Sequence, residues 1–401
     1  MGYPGRKQKR GNRLTWIVSL LLLLLAGIAA LFLGHVRTML PVEQAAFRWA
    51  YGDTRFGQVT AFFPVHNGLT QAHVHGMMGG IQGGLAQEGF EPAEEGQGGD
   101  FTYAYSAQGV LQVSTRDRGP VSVYTTFVGG NFFHFQTVQL ISGGHLPQES
   151  TNRDLALIDE ELAWQLFGAI HLVGDFHEIQ EEDEVFIPQV YIQGRPFIVV
   201  GVYRPPGDFA SRAAYGTGPH MFLFYDAPLE IDPLPITALQ VVMPNPVSGF
   251  AKSFFEEALE EGNVPEDDFV LVNNSERFRL GALFQVLGDY GSRSMYRAGL
   301  NLPYWENAAR MAEDYGALAL LLLLIFLIFP VIRGLLWVIR RWRQRKWRLF
   351  AMTRRKLEER TEERKEQAWR VSGPEAAFSE ETQDGTYDLE EIIRSVRESE
   401  E

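Results

Sequence analysis

Apolar positions fall along this chain in three distinct patterns. Two runs are apolar almost without interruption. "LTWIVSLLLLLLAGIAALFLGHV" occupies Leu14–Val36, and "GALALLLLLIFLIFPVI" occupies Gly316–Ile332, continuing past Arg333 through Ile339. Each matches the roughly 20 residues that cross a bilayer as a helix. The first run ends in "LFLGHV", without the small-x-small site of a cleaved signal peptide, so it reads as an uncleaved anchor. Pro330 is placed to kink the second, and Arg333 to reach the cytoplasmic headgroups.

Between the runs the pattern alternates or follows helical spacing. "QVTAFFP" (58–64) reads as a strand. Thr70 caps a helix with apolar positions at Val74, Met78, Ile81 and Leu85, although five glycines weaken it, and "DFTYAYS" from Asp100 is the next strand. The same order returns later. "ITALQVVMP" (236–244) is a strand, "VSGFAKSFFEEALEEG" a helix buried through Phe250, Phe254, Phe255 and Leu259, and "DFVLVNN" from Asp268 a strand. Two β-α-β halves about 120 residues apart describe one split α+β domain with an insertion over about 115–230. The insertion is strand-rich: "GPVSVYTTFVG" alternates, and "FIPQVYIQGRPFIVVGVYRPP" reads as a hairpin turning at Gln193-Gly194-Arg195.

Charge sets the expected orientation. The chain has 401 residues and a net charge of −14, and no cysteine, which excludes a disulfide framework and thiolate chemistry. Residues 1–13 carry five basic and no acidic residues, and 333–356 carry ten basic and none acidic. Residues 37–316 carry 15 basic and 35 acidic residues. Basic flanks on both apolar runs place both termini in the cytoplasm and the acidic region outside. The expected division is therefore a basic N-terminus (1–13), a first span (14–36), an extracytoplasmic domain (37–315), a second span (316–339), a charged cytoplasmic helix (340–370) and a flexible acidic tail (371–401). "YDLEEIIRSVRES" gives that tail a short terminal helix, with Leu389, Ile392, Ile393 and Val396 on one side. The block "RRWRQRKWRLFAMTRRK" beside a span reads as a juxtamembrane helix on anionic lipid rather than a nucleic-acid site.

Candidate chemistry is sparse. In "DLALIDEELAWQLFG" three acids, Asp159, Glu160 and Glu161, follow a buried strand. Asp159 stands at a helix N-cap, the two glutamates suit the positive end of the helix dipole, and Gly168 follows the last turn. A cap at Asp159 predicts that Asn or Ser there is nearly neutral and that Ala costs about 1 kcal/mol. His73 and His75 share a face only in a strand, and the helical pattern separates them. The run "EEDE" (Glu181–Glu184) lacks the glycine and spacing of a calcium loop. "YRPPGDFASRAAYGTGPH" offers Asp208 and Ser211 without a histidine partner and reads as an exposed contact loop. No G-x-x-x-x-G-K-[ST] and no G-x-S-x-G occurs. No catalytic, cofactor-binding or metal-ligating residue is assigned.

A resemblance rests on particular segments. "VGGNFFHFQTVQLISGGHL", then "LALIDEELAWQLFG", "LVGDFHEI" and "FIVVGVY", match over about residues 121–203 the order and spacing of the extracytoplasmic core domain of MacB-type ABC transporter permeases. The flanking β-α-β halves fit that family's split porter-like subdomain, extending the resemblance to about 45–300. It implies a non-enzymatic, membrane-anchored transport component without a cofactor, whose outer domain transmits motion or contacts cargo. The implied partners are membrane lipid, a separate ABC ATPase, and a fuller permease or a second copy of this chain; nucleic acid is not among them. Family permeases carry one span before this domain and three after it, whereas this sequence shows one on each side. The other function the sequence allows is an extracytoplasmic sensor or scaffold acting on envelope processes without transport.

Overall fold

The protein was analysed as a computed structural model that describes residues 5–50, 55–90, 101–173, 187–232, 234–262, 264, 269–289 and 300–372. Two compact units divide the chain: Leu24–Ile325, and a second formed by Met1–Leu23 with Phe326–Glu401. The elements run α1 (Gly5–Thr38), α2 (Ala45–Trp49), β1 (Phe56–Phe62), α3 (Gln71–Gln87), β2 (Thr102–Ser114), β3 (Val121–Gly130) and α4 (Phe132–Phe135). They continue with β4 (Gln139–Gly143), β5 (Leu155–Asp159), α5 (Glu160–Phe167), β6 (Gln189–Ile192), β7 (Arg195–Arg204), α6 (Phe209–Tyr215) and β8 (His220–Phe224). The last are β9 (Ala238–Pro244), α7 (Phe250–Glu261), β10 (Val270–Asn273), α8 (Leu280–Gly288) and α9 (Tyr304–Ser372).

The two β-α-β halves meet in one sheet. Strand order β10-β1-β9-β2 with antiparallel pairing throughout is the split βαββαβ arrangement, and α3 and α7 both cover it. Their apolar faces close one core with alternate residues of the strands. Val59 and Ala61, Leu239, Val241 and Met243 meet Val74, Met78, Ile81, Leu85, Phe255 and Leu259. The helix spacing expected for α3 is the spacing it buries. Its capping box is closed by His73, whose Nδ1 accepts the Thr70 N–H at 3.2 Å, while His75 stands edge-on to Tyr105.

The inserted strands do not form a separate sheet. They continue the same one in the order β2-β3-β8-β5-β7-β4, with β6 against β2 and β7. The thirteen-residue β2 makes the join: its start pairs with β9, most of its length with β3 and its end with β6. Both faces of this half are covered. In β5, Ala156 and Ile158 enter a core with Leu162 and Leu166 of α5, whereas Leu155 and Leu157 enter the opposite core with Phe132, Tyr203 and Phe222. The β6–β7 hairpin turns where expected, with φ of 53° at Gln193 and 79° at Gly194, the paired left-handed residues of a two-residue turn.

Two local expectations change. The glycine- and proline-rich segment after β7 is not simply an exposed loop; it contains α6, capped by Asp208, whose Oδ1 accepts the Ser211 N–H at 2.8 Å. Its Ala210 is buried against α1 and α9 residues. The acidic run Glu181–Glu184 and the terminal helix around Leu389–Val396 lie outside the described residues.

Asp159 caps α5, and more. Its Oδ1 accepts the Leu162 N–H at 2.8 Å. Its Oδ2 accepts the His220 N–H at 2.9 Å and the Tyr215 hydroxyl at 3.3 Å, and that hydroxyl lies 2.8 Å from the Tyr203 hydroxyl. The carboxyl is fully buried, and burial pushes it up to about 7 against the opposing pull of the Leu162 and His220 N–H groups. Asp159 therefore fastens the start of α5 to the start of β8, which corrects the expectation that asparagine would be neutral. An amide has one acceptor oxygen, and its NH2 would face the His220 N–H. Asp159→Asn is expected to cost about 1–3 kcal/mol and Asp159→Ala at least as much, measured by thermal melts of the purified chain. An Asp159→Asn variant as stable as the parent would return Asp159 to a simple cap.

Candidate functional site

The strongest polar constellation lies where the sheet domain meets the outer turns of α1 and α9. It begins with the alternation of β1. Val59 and Ala61 face the α3–α7 core, so Gln58 and Thr60 point to the other face, where both are fully buried. Gln58 takes the chain leaving α1: its Oε1 accepts the Ala45 N–H at 3.0 Å and its Nε2 donates to Val42 O at 2.9 Å. Thr60 donates to Asn274 Oδ1 at 2.7 Å, and Asn274 Nδ2 donates to Glu43 Oε2 at 3.0 Å.

Arg277 occupies the centre, in the turn after β10. Its Nη1 lies 3.1 Å from Glu43 Oε1 and 2.9 Å from Glu306 Oε2, Nη2 reaches Glu306 Oε1 at 3.1 Å, and Nε reaches Glu313 Oε1 at 2.8 Å. Arg310 adds a second cation, with Nε 2.8 Å from Glu306 Oε1. The Arg277 side chain is 4% exposed, and its three carboxylate partners are 2–8% exposed. Glu306, Arg310 and Glu313 recur at helical spacing on the first turns of α9. Thus one guanidinium ties together the segment after α1, the turn after β10 and the base of α9. Apolar packing surrounds it: Leu33, Val36 and Leu40 of the α1 side meet Phe278, Leu283, Ala308, Ala309 and Ala312.

The electrostatics favour a proton on Glu43. Burial alone would lower the Arg277 value, but the three carboxylates raise it well above its ordinary range. Glu43 is pushed up to about 7: burial raises it most, Arg277 opposes, Glu306 raises it, Asn274 lowers it and Glu313 raises it further. When Glu43 holds a proton, the charges of these three carboxylates and two cations balance. The cluster is suited to fixing geometry, because the guanidinium fork satisfies several acceptors at once in set directions. A metal would find its centre filled by Arg277, and among the described residues no group of three or more His, Asp or Glu is arranged to hold one.

A second feature of the sheet domain is a cleft of about 390 Å³ whose walls include Tyr105, Phe133, His145, Arg153, Phe224 and Asp226. Arg153 is paired with Asp226 at 3.0 Å and lies 4.5 Å above the Phe224 ring. In the other unit, Arg333 is not extended to solvent. Its guanidinium is 4.4 Å from the Trp16 ring centre and 3.4 Å from Ser19 Oγ. Arg341 over Trp337 and Lys346 over Trp342 repeat the motif along α9.

Sequence reasoning did not find the Arg277 cluster. Its members are single charges among 50 acidic and 36 basic residues. The available signal was Glu306, Arg310 and Glu313 at i, i+4 and i+7 immediately before an apolar run. On the first apolar helix Ala26 and Ala29 are buried, whereas Gly27 and Ala30 are exposed.

Two helices, one from Leu14 to Thr38 and one within Tyr304–Gln367, are long and apolar enough to cross a membrane. Between them stands a large mixed α/β sheet domain. No protein-family model matches the chain, and no curated protein matches it. Among solved structures it is similar to the periplasmic region of MacB from Actinobacillus actinomycetemcomitans, at 13% identity over 58% of this chain and 93% of that one, with a TM-score of 0.36. It is also similar to the extracellular domain of the noncanonic ABC-type transporter YknZ from Gram-positive bacteria, at 11% identity over 54% of this chain and 100% of that one, TM-score 0.35. A third is a domain of a putative permease from Porphyromonas gingivalis, at 16% identity over 58% of this chain and 97% of that one, TM-score 0.30.

Two outcomes test the cluster. Arg277→Met leaves three buried carboxylates around an apolar group and is expected to destabilise the chain by about 3–5 kcal/mol, seen as a lowered Tm in lipid nanodiscs. Glu43→Gln mimics the protonated acid, and Asn274 can turn its amide because the Thr60 hydroxyl both donates and accepts. The folded Glu43 value of about 7 lies above its ordinary 4.5. Its stabilising contribution is therefore complete below about pH 4.5 and lost as pH rises through 7, by on the order of 3 kcal/mol. The difference in Tm between parent and Glu43→Gln should grow in the variant's favour from pH 4.5 to 7.5. A constant difference would place the proton elsewhere.

Proposed function

We propose that this chain is a membrane-anchored, non-catalytic component of an ABC transport system, in which the outer domain and the outer turns of both membrane helices move as one body. The Arg277 cluster carries this reading. A domain merely tethered to a membrane needs a linker, whereas here a buried guanidinium joins the exit of α1 and the base of α9 to the sheet. Displacement of either helix would have to break charge-assisted hydrogen bonds in a buried site, so helix motion is passed to the sheet rather than absorbed. The motif segments over about 121–203 support the MacB-like assignment. Three of them lie on β3, α4, β4, β5, α5 and β7, and "LVGDFHEI" runs from Leu172 out of the described residues.

In this reading an ATPase on a separate chain supplies the drive, with a fuller permease or a second copy completing the assembly. Both termini are cytoplasmic, residues 37–315 are extracytoplasmic, and the basic part of α9 after Arg340 is the surface offered to the ATPase. The acidic tail offers it a second dock.

Two measurements bear on this. Protease added to intact cells should cut within 37–315 and spare the tail; loss of a C-terminal tag under those conditions would overturn the orientation. Crosslinking in native membranes followed by mass identification should recover an ATPase with the full chain and less of it with a chain truncated after Lys356. If neither form yields an ATPase and both remain monomeric, the transport reading fails and an envelope sensor or scaffold becomes the better description.

A further inference from the structure

The helix α8 presents more apolar surface than its packing uses. At about 100° per residue, Leu280, Leu283, Phe284, Val286 and Leu287 span an apolar arc roughly 160° wide. Leu283 and Val286, on one side of that arc, are buried. Leu280 and Phe284, on the other, are 49% and 50% exposed, and Leu287 beside them is half-buried. Gly281, Gln285 and Gly288, which are exposed, and Ala282, which is half-buried, complete the circumference.

The position of α8 says what covers this face. Leu283 packs where the two apolar helices meet: a Cβ built on Gly316 would lie 3.4 Å from Leu283 Cδ2 and 3.6 Å from Val36 Cγ1. Arg37 at the end of α1 donates from Nε to Phe278 O at 3.0 Å, holding the residues just before α8 to the same level. From Leu14 to Val36 the helix rises about 33 Å, against a hydrocarbon core of about 30 Å. Val36, Gly316 and with them α8 therefore stand at the outer boundary of the bilayer. Aromatic rings mark the same level. Phe32 of α1 stacks on Phe209 of α6 at 6.4 Å, and Phe209 meets Tyr315 of α9 edge-on at 5.2 Å. Phe209 and Tyr315 keep 36% and 40% of their surface exposed, continuous in kind with the exposed Leu318, Leu321 and Leu322 below them. Of these, Tyr315 is amphipathic, the kind of ring that concentrates at this depth of a membrane.

We propose that α8 is an interfacial membrane helix: Leu280, Phe284 and Leu287 insert among lipids of the outer leaflet, and Phe209 and Tyr315 extend the contact around the stalk. The outer domain then rests on the bilayer surface rather than standing clear of it. The Arg277 turn, two residues before Arg279 at the helix start, is held against both the protein stalk and the lipid. This inference rests on the reading of α1 and α9 as spans, and its test separates the two.

The chain has no cysteine, so single sites can be labelled cleanly. Nitroxide labels are placed at Phe284→Cys, Leu280→Cys, Leu322→Cys and Trp164→Cys in the full chain, reconstituted in vesicles of phosphatidylethanolamine and phosphatidylglycerol. Collision with oxygen, which concentrates in lipid, is compared with collision with a water-soluble nickel chelate. Trp164, 64% exposed on α5, is the aqueous reference. Labels at 280 and 284 should show an oxygen-to-nickel ratio several-fold above that at 164 and below that at 322. A lipid-like ratio at 322 with water-like ratios at 280 and 284 would refute the interfacial helix and leave the spans intact. Protection of 280 and 284 from both reagents would mean that protein, not lipid, covers α8, and would also refute it. A water-like ratio at 322 would remove the spans and the proposal together.

Discussion

One guanidinium organises this molecule. Arg277 is buried with three carboxylates contributed by chain segments before β1 and along α9, and the sheet domain can be complete only when all of them are in place. A buried ion cluster is a poor source of net stability, since its attraction is largely offset by the loss of hydration. Its effect here is to make alternatives costly. A sheet rotated or slid against the two helices would leave unpaired charges in an apolar setting, so one seating of the domain is strongly favoured over its neighbours.

That constraint explains features which otherwise look unrelated. Gln58 and Thr60 are polar residues in a strand buried on both faces, and each serves the cluster or the chain leading to it. The alanines Ala308, Ala309 and Ala312 let the base of α9 approach closely enough for Glu306 and Glu313 to reach one arginine. Burial raises the Glu43 carboxyl to about 7, so a proton held there would balance the charge. The seating is thereby tied to pH.

Much of the architecture was legible because it is written in local periodicity. Val74, Met78, Ile81 and Leu85 declare their helix face, the two apolar runs declare themselves, and Gln193-Gly194 declares its hairpin. Asp159 was legible as a cap, since capping involves the residues immediately following it. Its second set of partners was not, because His220 lies 61 positions away and nothing near Asp159 signals it. The Arg277 cluster was hidden for the same reason, its most distant partner lying 234 positions away. The insertion was legible as strand-rich, but its joining to the split halves in a single sheet was not. Long strands such as β2 can belong to both halves at once, and pattern within a strand does not reveal how many neighbours it will have.

The pairing of β1 has a consequence for how the chain is made. Its partners are β9 and β10: Thr60 lies opposite Gln240 and Val272. Between the synthesis of β1 and the appearance of β9 roughly 180 residues must be added, about 10–40 s at ordinary elongation rates. During that interval the inserted strands, whose pairings run from β3 to β8, can close among themselves, while β1 and α3 wait with an unpaired edge and an uncovered apolar face. A nascent chain in this state is a natural client for holding chaperones. The last strands to emerge, rather than the first, decide when it is released.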